Sequence, residues 1–179
     1  MARRFRSSRS GTALALFVLL AWGAFRLWQI WPAATAPDAL GDGQYQVARA
    51  VDGDTLLLTN RARVRLIGVD TPETVKEGSP VELWGREAAE FTKSMVAAQE
   101  VRLQFDRERV DRFGRFLAYV WVGDRLLNEE LLRAGLARWE PKYHYSQAMK
   151  TRFRKAQQEA NEAHRGIWSD AVATVPAER

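Results

Sequence analysis

Cysteine is absent from the 179 residues, and histidine occurs only twice. Together these absences exclude a disulfide framework, a thiol nucleophile and a zinc cluster. They leave the compartment open, although a chain without thiols is safe in an oxidising one. No acidic residue occurs in the first 26 positions, whereas Arg3, Arg4, Arg6, Arg9 and Arg26 all lie there. Setting those five aside leaves 22 basic against 22 acidic residues in 27–179, so the formal net charge of +5 belongs to the N-terminus. Bulk charge therefore gives no reason to infer polyanion binding; any such claim rests on local arrangement. The chain also lacks internal repeats and low-complexity tracts. Its length suits one globular domain with an appendage.

The appendage is residues 1–32. A basic head precedes an uncharged run from Gly11 to Phe25, and Arg26 with Trp22, Trp28 and Trp31 forms an edge suited to a membrane interface. The uncharged run is shorter than the ~20 residues a span needs, but continuing to Trp31 supplies the length if Arg26 snorkels. This pattern predicts a hydrophobic helix acting as a signal anchor, with a single pass of the cytoplasmic membrane and the remainder of the chain outside. The rival is a signal peptide cleaved near "AWG" or "ATA", giving a secreted protein. Residues 33–43, rich in Ala, Pro and Asp, read as a linker, and 171–179 as a tail.

From Tyr45 onward, "YQVARAV" and "TLLLT" flank "DGD" as two strands around a tight turn. Residues 62–69, 100–105 and 114–122 supply three more strands. Helices are expected at 86–98, with Ala88, Phe91, Met95 and Val96 on one face; at "NEELLRAG", with Asn128 as N-cap; and along Met149, Phe153, Ala156, Ala160 and Ala163, stopping at Gly166. His164 and Arg165 then fall in the last turn of that helix. Five strands with helices inserted late predict an α+β fold, a five-stranded OB-type β-barrel with three helices over 44–170.

"VDGDT" at 51–55, "RLIGVDTPET" at 65–74, "FGRFLAYV" at 113–120, "NEELLRAGLA" at 128–137 and "GIWS" at 166–169 occur in order over most of the remaining chain. In this the sequence resembles the staphylococcal nuclease (thermonuclease) family. Asp54 and Asp70, at the ends of neighbouring strands, can converge on a hard, oxygen-preferring cation. The resemblance implies that the metal is Ca²⁺, that Thr71 adds its carbonyl, and that Glu73 is the general base activating water. Pro72 holds Thr71 extended and fixes its own φ, keeping Glu73 at a set position beside the metal. Arg65 and Arg115 offer planar, permanently charged forks for phosphate oxygens.

One requirement follows from strand parity. In an ideal strand Arg65 and Asp70 face opposite sides, so this reading needs a bulge or a strand that ends before Asp70. Asp52 is assigned to hairpin geometry, or at most to supporting the site residues from behind, and His144 and His164 to structural roles. The resemblance places base-stacking tyrosines after "GLARWEP", which singles out Tyr143 and Tyr145, with Tyr143 the candidate nucleic-acid contact. The implied activity is a Ca²⁺-dependent endonuclease on DNA and RNA with little sequence preference, leaving 3′-phosphates and acting as a monomer. The alternatives are a non-catalytic OB-type binding module and an enzyme on another phosphodiester.

Overall fold

The alternation that begins at Gly43 does form a strand, but a ten-residue strand in a small barrel must bend. In the computed structural model, which describes residues 39–74, 82–97 and 100–169, β1 (Gly43–Asp52) pairs with two neighbours in succession. Its first four residues run antiparallel to β5 (Glu100–Gln104), and Val47 to Asp52 run antiparallel to β2 (Thr55–Leu58). Register shifts between Val47 and Arg49 and between Ala50 and Asp52 provide the bend. β2 turns back onto β3 (Arg63–Leu66), and β5 pairs with β6 (Phe116–Val122). Parallel pairing of β3 with β6, Val64 opposite Phe116 through Leu66 opposite Ala118, closes the barrel. Closure leaves these five strands no free edge. The expected OB-type α+β architecture is the one observed.

Three helices cover the barrel: α1 (Gly85–Val96), α2 (Leu127–Arg133) and α3 (Gln147–Glu162). Short strands β4 (Val69–Asp70) and β8 (Arg138–Trp139) pair with each other, and β7 (Arg125–Leu126) extends β6. The core joins Val64, Leu66, Leu103, Leu117 and Val120 to Leu131, Leu132 and Phe153 of the helices. Tyr119, Tyr145 and Phe153 meet as a ring cluster, with centroids 6.1–6.5 Å apart. Ser146, rather than a residue further on, opens α3, its hydroxyl accepting from Met149 N.

Two local expectations are corrected. Asn128 is not the N-cap of α2; Leu126 is, and Asn128 lies fully buried in the first turn. Its side-chain oxygen accepts from Val120 N at 2.9 Å, and its amide donates to the carbonyls of Ile67 at 2.9 Å and Ala118 at 3.3 Å. A buried amide at that position satisfies three backbone groups that no solvent can reach, an advantage over capping a helix. His164 is likewise past α3, which ends at Glu162, and takes a left-handed conformation (φ 51°).

Residues 39–42, which composition assigns to the linker, pack on the barrel. Leu40 is buried, its carbonyl accepts from Arg109 Nη2 at 2.6 Å, and the Asp42 carboxylate accepts from Phe105 N at 2.9 Å. The expected anchor helix and the tail 171–179 lie outside the described residues. Among the described residues no helix is long and apolar enough to cross a membrane.

Candidate active site

Strand β3 ends at Leu66, and the chain reverses through Ile67 and Gly68 before β4 begins at Val69. Gly68 has φ +79°, and a Cβ there would stand 2.8 Å from the Phe153 ring, so no other residue fits this turn without movement. Ile67 N donates to Ala118 O at 3.0 Å, and Asn128 holds the Ile67 carbonyl, which anchors the reversal to β6. The break meets the parity requirement: Arg65 and Asp70 come to one side, with Arg65 Nη2 donating to Asp70 Oδ1 at 2.6 Å.

Asp54 sits in the β1–β2 turn, 3% exposed. Its Oδ2 accepts from Thr71 N at 3.0 Å and Thr71 Oγ1 at 3.1 Å, and its Oδ1 from Thr55 Oγ1 at 3.0 Å. The same Oδ2 forms an ion pair with Arg65 Nη1. A single buried guanidinium therefore receives both carboxylates, and its Nε is left buried without a partner. Asp54 Oδ2 in the β1–β2 turn and Asp70 Oδ1 on β4 thus converge on one positive centre, and carboxylate oxygens are donors that suit a hard cation. Among the described residues no group of three or more histidines, cysteines, aspartates or glutamates is placed to hold a metal ion, so the protein's own oxygens here are these two carboxylates.

Glu73 is exposed. Its backbone is clasped: Glu82 N donates to Glu73 O at 3.1 Å, and Glu73 N donates to Glu82 Oε2 at 3.3 Å. Its carboxyl is held above the ordinary value of 4.5, first by partial loss of water and then by the charge and hydrogen bond of Asp52, with Arg65 opposing. Asp52 is thus part of the site and not only of the hairpin. Its Oδ1 accepts from Gly53 N at 2.8 Å and from Thr74 Oγ1 at 2.9 Å, tying the β1–β2 turn to the loop bearing Glu73.

Arg115 is positioned by Asp111, another residue that sequence reasoning missed. Arg115 Nε donates to Asp111 Oδ2 at 2.7 Å, and Asp111 Oδ1 accepts from Phe113 N and Arg115 N at 2.8 and 3.0 Å. Burial pushes the Asp111 carboxyl up, but these hydrogen bonds and the Arg115 charge outweigh it and hold it below the ordinary range. An acid four residues before the arginine, with Gly114 between, was the available signal. Phe113 projects from this turn, 68% exposed, with the Arg112 and Arg115 guanidinium groups 4.7 and 5.4 Å from its ring centroid.

One open cavity of about 670 Å³ gathers these groups: Asp54, Arg65, Asp70, Glu73 and Arg115 all line it, as do Asp52, Asp111 and Phe113. Thr71, hydrogen-bonded to Asp54, lines a neighbouring cleft with Asp70 and not this cavity. Tyr143 is on its wall, mostly buried, with Lys142 Nζ 5.1 Å from its ring. Tyr145 is in the core instead, its hydroxyl accepting from Trp139 Nε1 at 2.8 Å and donating to Glu140 O at 3.0 Å. Burial and the charge of Glu140 outweigh the Trp139 hydrogen bond and push its phenol up to about 12. His144 faces a separate surface cleft with Arg107 and Lys150.

Residues 63–170 match the family described as staphylococcal nuclease homologue. The chain is 44% identical over 132 residues to the thermonuclease of Staphylococcus hyicus, covering 70% of this chain and 76% of that one. It is 44% identical over 137 residues to the thermonuclease of Staphylococcus intermedius, covering 75% and 80% respectively. The SPbeta prophage-derived endonuclease YokF of Bacillus subtilis (strain 168) is 41% identical over 125 residues, 68% of this chain and 42% of that protein.

Proposed function

Because the chain belongs to the staphylococcal nuclease family, we propose that this hydrolase is a Ca²⁺-dependent endonuclease on DNA and RNA with little sequence preference. The observation that carries this reading is the convergence of Asp54, Arg65, Asp70, Glu73 and Arg115 on one cavity. A phosphodiester bound there would lay its non-bridging oxygens against the Arg65 and Arg115 forks, which stay charged at every working pH. Glu73, ionised, accepts the proton of the attacking water at its carboxylate. As the P–O5′ bond breaks, charge grows on the phosphoryl oxygens, and the two guanidinium groups stabilise it in place. The departing 5′-oxygen takes up a proton from solvent, and the products are a 5′-hydroxyl and a 3′-phosphate.

Asp54 and Asp70, with the carbonyl of Thr71, would hold Ca²⁺. When bound, that ion supplies positive charge that polarises the phosphate. Tyr143, on the cavity wall, would contact a base. The segment 1–32 would tether the domain outside the cytoplasmic membrane, a reading supported by its arginine and tryptophan pattern.

Purified full-length chain incubated with plasmid DNA and with RNA tests the proposal. Cleavage of both in millimolar Ca²⁺, lost in excess EGTA and lost in Glu73→Gln, is the expected result. Full activity in EGTA would overturn the metal reading, and an inert wild type would overturn the catalytic one.

A further inference from the structure

Among the described residues, five basic side chains line the cavity: Arg63, Arg65, Arg112, Arg115 and Lys142. Four are engaged: Arg65 with Asp54 and Asp70, Arg115 with Asp111, Lys142 with Glu140 at 2.8 Å, and Arg112 over the Phe113 ring. Arg63 alone makes no hydrogen bond, ion pair or ring contact with the described residues. It is exposed at the start of β3, whereas Val64 and Leu66 are fully buried. Strand alternation therefore puts Arg63 on the face that carries Arg65, about 6.6 Å further along. That separation is comparable to the step between successive phosphates of an extended nucleic-acid strand.

We propose that Arg63 forms a second phosphate subsite, binding the diester next to the scissile one. The inference rests on the nuclease reading above and deepens it. Arg63 is exposed and hydrated, but its charge adds to the repulsion among the guanidinium groups of Arg65 and Arg115 that line the same cavity. An incoming polyanion removes that repulsion, while a substrate with a single phosphate does not reach it. The β3 strand would thus measure substrate length: the enzyme would favour chains with at least two consecutive phosphodiesters, independently of base sequence.

The test compares Arg63→Gln, Arg63→Lys and wild type in the full-length chain on two substrates. One is a nitrophenyl ester of a mononucleotide, which has a single phosphodiester; the other is a decameric oligothymidylate. Arg63→Gln should raise KM on the decamer roughly tenfold, the scale of one charge-assisted contact. It should change the nitrophenyl ester less than about twofold, and lower the salt slope of decamer binding by about 0.7, the single-strand value for one phosphate. Arg63→Lys should restore most of the loss, because a point charge suffices for a single phosphate.

Equal losses on both substrates would overturn the proposal, since Arg63 would then act at the scissile phosphate or on the fold. No loss on the decamer would overturn it too. A wild type that cleaves neither substrate would refute the nuclease reading itself, which keeps the two failures distinct.

Discussion

Asp111 and Arg115 hold each other in both directions: the carboxylate accepts from the guanidinium Nε at 2.7 Å and from the Arg115 backbone N–H at 3.0 Å, and the Asp111 backbone N–H donates to the Arg115 carbonyl at 2.9 Å. The turn is therefore a rigid mount for an arginine aimed into the cavity. Arg115→Ala should lower kcat by roughly 10²-fold with a smaller effect on KM, the pattern of an interaction strengthened in the transition state. Asp111→Ala should reproduce part of that loss with Arg115 still present. Combining the two should cost no more than Arg115→Ala alone, because they act as a unit. Strict additivity of the two losses would show that Asp111 does not work through Arg115.

Gly85 packs on the backbone of the loop bearing Glu73, where an added Cβ would stand 2.7 Å from the Glu73 carbonyl oxygen. Gly85→Ala must therefore displace Glu73 or the start of α1. A displacement near 1 Å costs up to about 10²-fold in rate. Steady-state kinetics should show kcat falling with KM nearly unchanged, while circular dichroism retains the wild-type spectrum.

Calcium should stabilise the folded chain if Asp54 and Asp70 hold it. With a dissociation constant in the millimolar range, a tenfold excess adds about 1.4 kcal/mol. Urea unfolding with and without Ca²⁺ measures this increment directly. Asp70→Asn should abolish it, and an unchanged increment in that variant would place the ion elsewhere.

Acid stability should depend on Asp106, which lies away from the cavity. Burial pushes its carboxyl up, but hydrogen bonds from Tyr119 Oη at 2.7 Å, from Ser146 N at 2.8 Å and from Arg107 N outweigh it, and the folded-state value lies below the ordinary 3.8. A depressed acid stabilises the fold at pH above 3.8, and that contribution is lost as pH falls through the folded-state value. Urea unfolding across pH 2–5 should therefore show a shallower acid limb in Asp106→Asn. Tyr119→Phe, which removes one hydrogen bond to a charged group, should cost about 1.5–3 kcal/mol at neutral pH.

Cells expressing the full chain test the tether. High-pH washing of membranes should leave intact-mass protein in the pellet, and deletion of residues 1–36 should release a soluble domain of unchanged specific activity. A soluble form beginning near Ala24 or Pro37 would identify the segment as a cleaved signal instead.

By itself the sequence determined the main element types and five residues of the cavity, Asp54, Arg65, Asp70, Glu73 and Arg115, but not the places of Asp52 and Asp111. Period-two runs, the apolar stripe of α3 and the short motifs are local features, readable without knowing what packs on what. Asp54, Arg65, Asp70, Glu73 and Arg115 could be named because each stands in such a motif. Tertiary structure decided what those residues do to one another. Arg65 reaches Asp70 because Gly68 accepts a left-handed turn against Phe153, and Asn128 leaves helix capping for buried backbone groups of Ile67, Ala118 and Val120. Asp52 joins Glu73 because loops distant in sequence meet across a closed barrel. Barrel closure couples register, burial and charge over long separations, and a local pattern carries no term for that coupling.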